Sequence, residues 1–283
     1  MSNGNNYEIN HKQIRNYTGD DIIFEIPEGI EEIGPQAFTR FMGTSRIQKV
    51  ICPSSLKVIR WGAFQNCGSL KEVVLPDGLE SIESLAFMGT GLQTINIPAN
   101  CKICDKAFAE CYELKNTDDE LFVYQNMVLA AGNRHLSDSG SPIVINEGIE
   151  IINGGAFAHH EGVKEIIFPK SLKRIGDDAF EKCSSLRKIT LNSFVEYGIG
   201  AFKDCHNISA DSFDLDTVLY YYFGAGKSNK LLGERCKKII EKQLLFNLER
   251  AMTLLEDCAS DKPFERFSNY IVTKSDSISL DNM

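Results

Sequence analysis

The stretch VVLPDGLESIESLAF (73–87) decides the fold, because it recurs. FEIPEGIEEIGPQAF (24–38), VICPSSLKVIRWGAF (50–64) and IIFPKSLKRIGDDAF (166–180) follow the same plan. Each has a β-branched or aromatic run, a Pro, a polar turn, an aliphatic residue, and Ile five places before Phe. The Ala-Phe pair ends at Phe38, Phe64, Phe87, Phe108, Phe157, Phe180 and Phe202, at intervals of 26, 23, 21, 49, 23 and 22 residues. The 49 spans two repeats, so a degenerate unit is expected between Phe108 and Phe157. A fixed period in this range marks a solenoid, because one unit cannot bury its apolar face alone and stacking covers it.

Each unit also carries a prefix of the form Leu70-x-x-Val73-x-Leu75, repeated at Leu92, Val163 and Leu186. Side chains alternate along a strand, so its last two aliphatics share a face. Pro27, Pro53, Pro76, Pro98 and Pro169 lack a donor and end the ladder after each strand. The spacing P-x-x-[LI]-x-x-I-x-x-x-A-F-x-x-C resembles the BspA-like leucine-rich repeats of bacteria and some protists, over roughly Ile9 to Phe213. The resemblance implies a mainly β repeat solenoid, a right-handed leucine-rich-repeat β-solenoid with parallel sheet. It also implies a role in adhesion or protein interaction, often at a cell surface.

Three regions follow. Residues 1–213 form the solenoid, with a hairpin insertion at about 118–142. Segments 7–33 and 121–152 share an order of strand, polar turn and strand, with Thr18–Asp21 as the first turn, so the array reads as two halves, 7–117 and 118–213. Residues 214–272 read as a helical C-terminal cap over the last rung, from Leu231, Leu232, Cys236, Ile239 and Ile240 at helical spacing. The alternative is a separate interaction helix that makes a homodimer. Residues 273–283, rich in Ser and Asp, read as a disordered tail.

Composition narrows the function. The chain has 283 residues, 43% hydrophobic and 24% charged, with net charge −9. That balance suits a globular core and argues against a nucleic-acid partner. No apolar run approaches the roughly 18 residues of a membrane span, and residues 1–15 lack a signal-type apolar stretch. The expected place is the cytoplasm, with surface display or secretion as the family's alternative.

Chemical motifs are weak. Cys67, Cys111, Cys183 and Cys205, with His160 in the same place, lie three residues after a repeat Phe. A column of ligand types suggests zinc, but a straight ladder does not make a tetrahedron; small buried residues at a tight turn are expected. Cys101-x-x-Cys104 has no second pair, and Ile103 is the inward residue between them. Gly224-Ala225-Gly226-Lys227-Ser228 has Tyr221 where a phosphate loop needs its first Gly. Lys and Arg between Lys227 and Lys242 read as a solvated helix face. No G-x-S-x-G or H-E-x-x-H occurs. The expected protein is non-catalytic, with no cofactor and no metal, and it binds another protein.

The binding surface is expected on the open sheet face. The residue between the two inward positions of each strand gives the column Glu25, Ile51, Val74, Asn96, Val144, Ile167 and Thr190. The residue before gives a second column, in which Lys49 lies beside Glu72 and Glu165 beside Lys188. An aliphatic row with flanking charge is the composition of a protein-binding patch.

Overall fold

A computed structural model describes residues 6–39, 46–116, 120–132, 141–190, 195–205 and 207–208. The helical cap and the tail expected at 214–283 lie outside the described residues. The strands are short and come in pairs per rung. In chain order they are β1 (Glu8–Asn10), β2 (Gln13–Arg15), β3 (Ile23–Glu25), β4 (Glu32–Ile33), β5 (Lys49–Ile51), β6 (Val58–Ile59), β7 (Glu72–Val74), β8 (Ser81–Ile82), β9 (Thr94–Ile95) and β10 (Lys102–Ile103). The second half holds β11 (Leu121–Tyr124), β12 (Met127–Ala131), β13 (Ile143–Val144), β14 (Ile151–Ile152), β15 (Glu165–Ile167), β16 (Arg174–Ile175), β17 (Lys188–Thr190) and β18 (Glu196–Tyr197).

One strand of each rung joins the sheets β3-β5-β7-β9 and β13-β15-β17; the other joins β1-β2-β4-β6-β8-β10 and β11-β12-β14-β16-β18. Rung-to-rung pairing is parallel and in register, as Val50↔Val73 and Ile166↔Ile189 show. The leucine-rich-repeat β-solenoid expected from the period is the observed fold.

The Ala-Phe turn explains the repeat. The Ala amide closes a four-residue turn onto the carbonyl three residues back, as in Ala63 to Arg60 at 3.1 Å and Ala179 to Gly176 at 3.3 Å. The third turn residue is left-handed in every rung: Gln36, Gly62, Leu85, Lys106, Gly155, Asp178 and Gly200. A second such turn follows Phe, with Asn66, Glu110, His159, Lys182 and Asp204 left-handed. The Phe amide donates to the Ala carbonyl of the next rung, for example Phe64 to Ala86 at 2.8 Å. The rings then stack: Phe38–Phe64–Phe87–Phe108 at 4.7, 5.2 and 5.2 Å between centroids, and Phe157–Phe180–Phe202 at 4.8 and 5.1 Å. All seven are buried.

Lys182 is exposed and left-handed at φ 59°. A left-handed L-residue costs roughly 1–2 kcal/mol, against roughly 0.5–1 kcal/mol for the extra unfolded freedom of glycine. Lys182→Gly is therefore expected to raise stability by about 0.5–1 kcal/mol in denaturant melts; a loss would mean that another contact of the Lys outweighs the strain.

The degenerate unit is a hairpin, and it corrects the turn placement. β1 and β2 already form a two-residue-loop hairpin at His11-Lys12, upstream of Thr18–Asp21. β11 and β12 repeat it at Gln125-Asn126, within Leu121–Ala131. Left-handed His11, Lys12 and Gln125 make the turns without glycine, so the usual signal is missing. β11–β12 is a wall between two cores. Leu121, Val128 and Ala131 belong to the second-half core, and Phe122, Leu129 and Ala130 to the first. The register shifts between Phe122 and Val123, and the extra residue on β12 is Leu129, which joins Ala130 on the first-half side. In β1–β2 the corresponding outer positions are the polar Glu8, Asn10, Gln13 and Arg15.

Beyond the wall, the two halves are stitched by polar contacts. Asp105 takes Arg174 Nη2 at 2.6 Å and the Gly154 amide at 3.0 Å, and the Arg174 guanidinium lowers its pKa against the opposing effect of burial. Gly154 and Gly176 are required here, because a Cβ on either would meet Asp105 or backbone at 2.9 Å or less.

Candidate protein-interaction face

The expected outward column keeps its orientation. Val74 and Val144 are 40% and 51% exposed, Glu25 and Asn96 are exposed, and Ile51, Ile167 and Thr190 are half-buried. Their strand neighbours Phe24, Val50, Val73, Ile143, Ile166 and Ile189 are buried, which is the period-2 alternation of a half-covered strand. The second column also forms. Lys49 Nζ meets Glu72 Oε1 at 2.8 Å, and Lys188 Nζ meets Glu165 Oε1 at 2.6 Å, across β5–β7 and β15–β17.

The column is not one surface. Glu25, Ile51, Val74 and Asn96 stand along β3-β5-β7-β9, and Val144, Ile167 and Thr190 along β13-β15-β17. Among the described residues the wall hairpin adds strands only to the other sheet, so there the row is interrupted between β9 and β13. The correction comes from the 49-residue interval: its unit supplies one strand position per rung, not two.

The opposite strands present a different chemistry, which the repeat alignment did not bring out. Arg60 Nη2 meets Glu32 Oε1 at 2.6 Å and its Nη1 meets Glu83 Oε1 at 2.7 Å, so one guanidinium ties three rungs. Hydrogen bonds from Arg60 and Gln13 hold the Glu32 carboxyl below its ordinary pKa. Lys12–Glu31, Lys57–Glu80 and Lys173–Glu150 extend the pattern at 2.6, 3.6 and 2.8 Å. These groups are a third or more exposed in most pairs, and each pair is worth at most about 1 kcal/mol. Here charges are matched within the chain, whereas the first face offers aliphatic side chains to solvent.

The cysteine column has a structural task. Cys67, Cys111, Cys183 and Cys205 donate from Sγ to the carbonyls of Phe38, Phe87, Phe157 and Phe180, at 3.4, 3.0, 3.1 and 2.9 Å. Each acceptor is the Phe of the preceding rung. His160 does the equivalent through Nε2 and the Ala131 carbonyl at 3.2 Å. Among the described residues no group of three or more His, Cys, Asp or Glu side chains is placed to hold a metal. Cys101 occupies the buried leucine position equivalent to Leu56, Leu79 and Leu172, and extended β10 separates it from Cys104. Three residue steps of about 3.3 Å put the two Cα atoms about 10 Å apart, beyond disulfide reach of about 7 Å.

Burial pushes the Cys52 and Cys111 thiols up to about 12 and Cys101 to about 11, and it raises Cys183, whose neighbour Cys205 adds to the effect. With iodoacetamide at pH 8, Cys104 is expected to be the first described cysteine labelled, and the buried ones only on unfolding. The folded state keeps these protons longer than the unfolded chain, whose thiols titrate near 9.0. Their contribution to stability is complete below pH 9 and declines as pH rises from 9 toward 12. Melts that show no decline over that range count against the buried-thiol assignment.

No curated protein matches the chain. Solved structures similar to it include a leucine-rich repeat protein of T. pallidum, at 23% identity and TM-score 0.44, covering 75% of this chain and 91% of that one. A leucine-rich cell surface protein of Faecalibacterium prausnitzii is 20% identical with TM-score 0.36, over 74% and 81% of the two chains. A leucine-rich repeat protein of Eubacterium ventriosum is 18% identical with TM-score 0.45, over 66% and 59%. No helix among the described residues is long and apolar enough to cross a membrane. The model of the BspA-type leucine-rich repeat region matches residues 10–115 and 136–232 in 6 copies, and the chain belongs to that family.

Proposed function

We propose that the protein is a non-catalytic interaction scaffold that takes a protein partner on the open face of β3-β5-β7-β9 and β13-β15-β17. One observation carries the reading: Ile51 and Val74, then Val144 and Ile167, stand in register on solvent-facing strands flanked by Lys49–Glu72 and Glu165–Lys188. The other face carries ion pairs such as Arg60 with Glu32 and Glu83 in place of such an aliphatic row. An aliphatic row with a charged margin is the surface a protein partner covers.

The test is Val74→Asp with Ile167→Asp, scored by circular dichroism and by capture of partners from a native lysate. At surface sites the pair is expected to change stability by no more than about 0.5 kcal/mol each. An unpaired charge buried in an interface costs several kcal/mol, so binding is expected to fall about a hundredfold or more. Unchanged capture by a folded variant overturns the assignment of this face.

A further inference from the structure

We propose that the free edge of β3 is a strand-addition site for an extended, basic segment of a partner protein. This goes beyond the reading of the sheet face, since it uses backbone groups at the end of the array. In the parallel ladder the Ile22 carbonyl accepts from the Gln48 and Lys49 amides at 2.8 and 3.1 Å, and the Ile26 amide donates to Ile51 at 3.0 Å. Phe24 is paired with Val50 between them. Ladder bonds alternate, so Ile22, Phe24 and Ile26 spend their groups on β5, and Ile23 and Glu25 point theirs the other way. Among the described residues β3 is the last strand of its sheet at that side, because the β1–β2 hairpin continues only the other sheet.

Exposed edges are commonly blunted by Lys, Pro or a bulge. Residues 22–26 contain none of these; the strand is three residues long with Glu25 as its one charge, and Ile22 and Ile23 are 51% and 57% exposed. The chemistry of the occupant follows from charge. Between Asn16 and Thr39 the chain has six carboxylates and no Lys or Arg. Glu31 and Glu32 belong to the other sheet and pair with Lys12 and Arg60. Asp21, Glu25 and Glu28 remain around β3; Asp21 takes the Tyr17 hydroxyl and Glu28 the Ser54 amide and hydroxyl, all neutral donors. Among the described residues Glu25 has no ion pair. A second copy of this chain would bring acid against acid across the edge. A segment with an aliphatic residue beside Ile23, and Lys or Arg beside Glu25, complements it.

The test uses the full chain and a labelled ten-residue peptide of alternating Val and Lys, read by fluorescence anisotropy. Saturable binding is expected. The same peptide with every amide N-methylated keeps its charge and side chains but offers no donors, and is expected to bind at least about tenfold more weakly. A Glu–Val peptide is expected not to bind. Ile23→Pro removes the amide that faces the free edge and none that faces β5, so it is expected to stay folded and to weaken binding by the same factor. Equal binding of the methylated peptide, or of a folded Ile23→Pro protein, overturns the proposal. So does a wild-type dimer in sedimentation that Ile23→Pro dissociates, which would assign the edge to self-pairing. If Ile23→Pro fails to fold, the methylated peptide decides alone. The Val74→Asp, Ile167→Asp protein is expected to bind the peptide normally, so failure of the face and failure of the edge are told apart.

Discussion

Phe180→Ala is expected to destabilise the protein by about 3–5 kcal/mol, the range for truncating a fully buried Phe. The ring lies between Phe157 and Phe202 at 4.8 and 5.1 Å and meets Phe168 edge-on at 5.9 Å. Its neighbours cannot collapse into the gap, because each is held by turns in its own rung. The Phe180 amide and carbonyl are bonded to Ala201 and Cys205, so the backbone is fixed while the side chain is lost. Denaturant melts measure the effect, and a loss below about 1 kcal/mol would contradict a continuous aromatic stack.

The second large effect is expected at the wall between the cores. Phe122 is buried against Phe108, at 5.8 Å between rings, on the first-half side of the hairpin. Phe122→Glu places a carboxylate where no cation is offered, and an unpaired buried charge costs several kcal/mol. A loss of at least about 3 kcal/mol is expected. The hairpin at the start of the chain supplies the control. Counting from the two-residue loops, Glu8 corresponds to Phe122, and it is exposed. Glu8→Gln is expected to stay within about 0.5 kcal/mol. Similar losses for both variants would show that β11–β12 is not packed on two sides.

The rung was legible in the sequence because the same residues recur in one phase. Phe64, Ile59 and Val50 are each one of several copies, so their burial needed no knowledge of distant contacts. The hairpins were not legible in detail. Their loops use His11-Lys12 and Gln125-Asn126 in place of glycine, and LFVYQNMVLAA (121–131) is apolar on both faces. A two-sided strand loses the alternation that tells in from out. The outward column was readable position by position, yet its break between β9 and β13 was hidden, since sequence gives the phase of a rung but not which strand positions a unit fills. The Arg60 network has no repeat signature, since Glu83 shares its place in the rung and Glu32 does not. The edge of β3 depends on hydrogen-bond parity, which has no signature in residue type.

The two hairpins show what joins one array to another. Both open an array with the same strand pair, and they differ in the polarity of one face: Glu8, Asn10, Gln13 and Arg15 where the internal copy has Phe122, Tyr124, Met127 and Leu129. The apolar outer face of the internal hairpin seats the first-half core against it, and the polar face of β1–β2 offers no such seat. The joint between the arrays is thus set by the side chains of one strand pair, and the rungs on either side of it keep their own register.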